Sequence, residues 1–92
     1  MKKNITINLF GALYAIDEDA YELLKKYEEN MRAYFSRKEG GAEIADDIEN
    51  RVAELFAELK AAGVEAVTIE HVEDIIRRIG NPEEMADHMA DT

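Results

Sequence analysis

His71 and His88 are the only histidines in the chain, and His71 stands beside Glu70 and three residues before Asp74. An imidazole flanked by carboxylates within about one helical turn is a donor set for a single metal ion. Zinc, however, takes several converging N, O or S ligands. The chain has no cysteine and no HExxH spacing, and Glu70 and Asp74 belong on the wet side of a helix. Asp17-Glu18-Asp19 with Glu22 resembles a calcium loop but lacks its glycine and its frame. It reads as the start of a helix. Adjacent carboxylates such as Asp46-Asp47 and Glu83-Glu84 do acid–base work only in a desolvated cleft that separates their pKa values. Their periodicity puts them on exposed faces. Gly40-Gly41 is an isolated pair, and no Ser–His–Asp order, phosphate loop or dinucleotide fingerprint is present. The expectation is no catalytic residue, no cofactor and no metal.

The elements that would carry these residues follow from length and pattern. The chain has 92 residues, 47% of them hydrophobic and 35% charged, which suits one small folded domain. No apolar run approaches the roughly 20 residues that span a bilayer, so the segment is expected to be soluble, with no direct membrane insertion. MKKNITINLF opens with two lysines but alternates polar and apolar residues, unlike a signal peptide. The absence of cysteine leaves the compartment open, with a lean toward the cytoplasm. The formal charge is −10, from 21 acidic against 11 basic residues. A field of that sign repels phosphates, so no nucleic-acid partner is expected. A helix-turn-helix over Val64–Met89 fails for the same reason, because its recognition helix would read PEEMADHMAD.

Ala42–Ala62 is the stretch around which the rest is organised. Ala45, Ile48, Val52, Leu55, Leu59 and Ala62 recur at helical steps, with Ile44 and Phe56 widening the stripe. Glu43, Asp46, Asp47, Asn50, Glu54 and Glu58 occupy the other side. Upstream, Asn4–Leu9 alternates strictly, and a Phe10-Gly11 loop would set Leu9 against Ala12, Ile7 against Tyr14 and Ile5 against Ile16. Phe10 is the weak point of that turn, which prefers residues tolerant of positive φ. Leu13 is left on the open face.

A first helix starts at Asp17 as cap, with Ala20, Leu24, Tyr27, Met31 and Tyr34 as its stripe and Leu23 and Phe35 beside it. Gly40-Gly41 ends it, and Gly63 ends the long helix. Val64–Val67 is a short extended link. Thr68 caps a third helix, whose apolar face is Ile69, Val72, Ile75, Ile76 and Ile79. Asn81-Pro82-Glu83-Glu84 restarts a short fourth. The predicted fold is α+β and mostly α: one domain with a β-hairpin at 4–16 and helices at about 17–38, 42–62, 69–79 and 82–90.

INLFGALYAIDEDAYELLKKY, EIADDIENRVAELFAELK and VTIEHVEDIIRRIGNPEEM, in this order, resemble the soluble N-terminal region of bacterial PspC-type (phage shock protein C) proteins. The likeness runs from residue 1 to about 87. Its most specific parts are Ile16–Tyr21, Asp47-Ile48-Glu49 with Arg51, and Val67–Val72 continuing to Gly80-Asn81-Pro82-Glu83. The resemblance implies an interaction module of a membrane-associated envelope-stress protein, cytoplasmic or at the inner membrane. It supplies no catalytic residue. The alternative expectation is a free-standing acidic regulator that binds a basic partner or mimics nucleic acid.

The residues themselves mark one candidate interaction edge. A two-stranded hairpin leaves both outer edges open unless something covers them. Asn4, Thr6 and Asn8 carry neither charge nor proline, and Leu13 adds an apolar spot. The expected partner is a protein strand, with a second copy making a homodimer as one form of it.

Overall fold

The computed structural model describes residues 3–81. Asn4–Leu9 (β1) and Ala12–Asp17 (β2) form an antiparallel hairpin in the predicted register, Leu9 opposite Ala12, Ile7 opposite Tyr14 and Ile5 opposite Ile16. The two-residue loop needs positive φ at both positions, and Phe10 and Gly11 supply it at 54° and 82°. For a phenylalanine that conformation costs about 1 kcal/mol or more. The Phe10 ring meets Phe56 edge-on at a centroid distance of 5.7 Å, a contact of comparable worth.

Three helices follow: Glu18–Phe35 (α1), Gly41–Ala61 (α2) and Ile69–Ile79 (α3). The mostly helical α+β class is as predicted. The hub is α1, which packs against β2, α2 and α3, and not the longer Ala42–Ala62 stretch expected to organise the fold. Its buried residues are Ala20, Leu24, Tyr27, Met31 and Phe35. Phe35 is fully buried, and Tyr34 sits half-buried beside it under the Lys38 ammonium, so the two exchange their expected places. The helix also stops at Phe35 rather than running to residue 38. Ser36, Lys38 and Gly41 each take up a preceding carbonyl in a tight reversal, and Gly41 seats against the Phe35 carbonyl with no space for a Cβ.

The α2 stripe buries Ala45, Ile48, Val52, Leu55 and Phe56. Ile44 and Leu59 are half-buried, while Ala62, expected on the stripe, is exposed at the C-cap. Gly63 ends the helix at φ 87°. Its N–H donates to the Lys60 carbonyl and that of Val64 to the Leu59 carbonyl, which is the Schellman arrangement. On α3, Val72 and Ile75 are buried and Ile69, Ile76 and Ile79 half-buried. The helix expected at 82–90, with His88, lies outside the described residues.

Two local expectations are corrected. Asp17 makes no side-chain cap to α1. It does hold the N-cap position, as the buried last residue of β2, with its own N–H donating to the Val67 carbonyl at 2.9 Å. The 64–67 link is also more than a connector. The Val67 N–H donates to the Ala15 carbonyl at 2.8 Å, pairing Val67 in parallel with Ile16.

Candidate functional site

Of the residues weighed as metal ligands, His71 and Asp74 are committed elsewhere. Thr68 accepts the His71 backbone N–H, and His71 Nδ1 accepts the Thr68 N–H at 3.0 Å, so His71 completes a capping box for α3. Asp74 pairs with Arg78 at 3.1 Å and Arg77 at 3.6 Å. Glu70 is exposed. Among the described residues, no three acidic, histidine or cysteine side chains gather to hold an ion.

Among the described residues, the cavities are lined by both charged and apolar side chains. One between α1 and α2 measures about 10 Å³ and is lined by residues including Tyr27, Glu28, Arg32 and Glu49, room for about one water. Burial, and then the neighbouring Glu49 charge, raise the Glu28 pKa, against the lowering effect of Arg32. Arg32 in turn pairs with Glu49 and with Asp46. A groove of about 420 Å³ beside Leu23, Ile76 and Gly80 is also lined by Glu73, Arg77 and Asn81. Among the described residues, its lining holds no histidine or hydroxyl to complete an acid–base pair.

What distinguishes this surface is its sheet edges. In an antiparallel ladder, alternate residues turn their N–H and C=O inward to the partner strand and outward to the edge. The Glu18 N–H bonds inward to the Lys3 carbonyl while the Asp17 N–H bonds outward to Val67. That alternation, with the register, turns the backbone of Leu13, Ala15 and Asp17 outward on β2, and of Asn4, Thr6 and Asn8 outward on β1.

The β2 edge is covered in part by the chain itself. Val67 takes the Ala15 carbonyl and the Asp17 N–H, and the Lys60 ammonium donates to the Leu13 carbonyl at 3.2 Å. Lys60 also lies 5.2 Å from the centre of the Tyr14 ring. The β1 edge has no such cover among the described residues. Asn4, Thr6 and Asn8 are exposed, and Ile5, Ile7 and Leu9 on the inner face are only half-buried. The inner-face residues of β2 fare differently: Tyr14 and Ile16 are buried.

The four expected edge residues therefore divide. Asn4, Thr6 and Asn8 line one continuous edge that nothing covers among the described residues. Leu13, 63% exposed, shares their solvent face but belongs to the partly covered strand. Sequence reasoning missed Val67 and Lys60 as cover for that strand. The signal was slight, a β-branched residue before a helix cap. Among the described residues, no helix is long and apolar enough to cross a membrane. No family model, curated protein or solved structure matches the chain.

Proposed function

We propose that the chain is a non-enzymatic interaction and assembly module whose working surface is the outer edge of β1. The observation that carries this reading is the asymmetry of the hairpin. One edge is partly covered by Val67 and Lys60, and the other, among the described residues, presents outward-turned backbone at Asn4, Thr6 and Asn8 above half-covered isoleucines. An added strand would satisfy that backbone and cover Ile5, Ile7 and Leu9, the usual logic of strand addition. The uncharged edge carries neither lysine nor proline within Asn4–Leu9 to discourage pairing.

The resemblance to the PspC N-terminal region fits this role. There, such a module would join protein contacts to a neighbouring membrane-spanning segment in the response to envelope stress. A second reading, an acidic regulator of a basic partner, would use the exposed carboxylates Glu43, Asp47 and Glu58 of α2. A photo-crosslinking side chain at Asn8 or at Glu58, in cells that make the chain, separates the two. Adducts from position 8 that disappear with Thr6→Pro support the edge. Adducts from position 58 alone, indifferent to that proline, overturn it in favour of the acidic face.

A further inference from the structure

Asn4-Ile5-Thr6-Ile7-Asn8 reads the same in both directions. An antiparallel partner strand runs backwards, so a copy paired about a twofold axis through the middle residue sets like residues opposite one another throughout the palindrome. Resting on the edge reading above, we infer that the occupant of the β1 edge is β1 of a second copy, with the axis at Thr6.

In that register Asn4 faces Asn8 of the other copy, Thr6 faces Thr6, and Ile5 faces Ile7. The residues whose backbone turns outward, Asn4, Thr6 and Asn8, meet one another, and each pair exchanges two hydrogen bonds. Sliding the copies by two residues either way drops one of these pairs from the palindrome. Sliding by one sets polar side chains against isoleucines. The twofold stands perpendicular to the sheet, so the inner faces of both copies lie on the same side. Ile5 and Ile7 of each then form a continuous apolar row where each copy alone leaves them half-buried.

A symmetric contact always brings a central residue near its own copy, so a charge there would repel itself. The palindrome holds none, although the chain carries −10 overall. That net charge opposes association at long range, and salt would relieve it.

The absence of native cysteine makes the register directly readable. Directly opposed hydrogen-bonded residues lie at about 5.5 Å between Cα atoms, within disulfide reach. On oxidation, purified Thr6→Cys should form a disulfide dimer efficiently. Asn4→Cys alone and Asn8→Cys alone should form little, and an equimolar mixture of those two should form the mixed dimer. Light scattering on the unmodified chain should move from one chain mass toward two with concentration, at lower concentration when salt is added.

Thr6→Pro removes an outward N–H that the hairpin does not use, and should weaken association by roughly tenfold or more. Thr6→Lys, placed on an exposed position, should weaken it at low salt and recover at high salt. A chain that stays monomeric throughout, or Thr6→Cys that crosslinks no better than Asn4→Cys, overturns self-pairing. If the photo-adducts at position 8 nevertheless form and have a mass other than two chains, the edge reading survives and only the partner is wrong. If those adducts are absent, both fall.

Discussion

The Tyr27 hydroxyl donates to the Gly80 carbonyl at 2.6 Å, tying the middle of α1 to the C-cap of α3. The phenol is otherwise buried among apolar neighbours, and burial pushes its pKa up to about 12. Tyr27→Phe should cost about 1 kcal/mol at neutral pH, the worth of one such bond. Burial favours the neutral phenol in the folded state. The associated stability is thus intact below the ordinary tyrosine value and is lost as pH rises from there through about 12. Denaturant melts of both proteins at neutral and alkaline pH check this. The difference between them should shrink as pH climbs, and a constant difference would contradict it.

Glu28 makes the opposite case on the same helix. Its raised pKa means that the folded protein holds the proton more tightly than the unfolded chain, so ionised Glu28 lowers stability at neutral pH. Stability from this group is fully present below the ordinary glutamate pKa and declines as pH rises through the folded value. Glu28→Gln should therefore raise the melting temperature at neutral pH and lose that advantage in acid. A variant less stable than wild type at neutral pH would show that the carboxylate is held favourably instead.

Much of this fold was legible from local rules. The hairpin register followed from period-two alternation and a two-residue loop, with Phe10 the one residue that argued against it; the Phe56 contact supplies what the local rule could not see. The end of α1 was misplaced because Gly40-Gly41 and the cations before it signal a stop at residue 38. Phe35 instead turns into the core and Gly41 folds back on its carbonyl. Asn4, Thr6 and Asn8 were legible as an edge. That the chain covers part of one edge and, among the described residues, none of the other was not, because it depends on where Val67 returns after a 50-residue excursion from Asp17. His71 invited metal chemistry and proved to be a helix cap, a job that sequence patterns usually assign to glutamate or glutamine.

The α2 stripe can be graded by truncation. Ile48 and Leu55 are 6% and 4% exposed, so Ile48→Ala and Leu55→Ala should each cost about 2–5 kcal/mol. Ala62 is exposed at the C-cap, and Ala62→Ser should change stability by under about 0.5 kcal/mol. Equilibrium urea unfolding of the three variants tests the order. Equal losses at positions 55 and 62 would refute the assigned face.

Gly40 and Gly41 stand side by side yet do different work, and alanine at each should separate the roles. Gly40 holds φ at 73° with open space where a Cβ would stand. Gly40→Ala therefore meets backbone strain alone, about 1–2 kcal/mol. At Gly41 a Cβ would come 1.7 Å from the Phe35 carbonyl oxygen. Backbone cannot step aside as a flexible side-chain tip can, so Gly41→Ala must push the start of α2 away from the end of α1. Phe35 is fully buried, and the displacement would reach it. The expected loss is about 3 kcal/mol or more, at the upper end of overpacking costs. Unfolding curves should rank Gly41→Ala well below Gly40→Ala, with the near-ultraviolet signal from Phe35 and Tyr34 disturbed only in the former. The reverse ranking would mean that the turn's left-handed residue, and not the close approach of α2 to Phe35, sets the corner between the two helices.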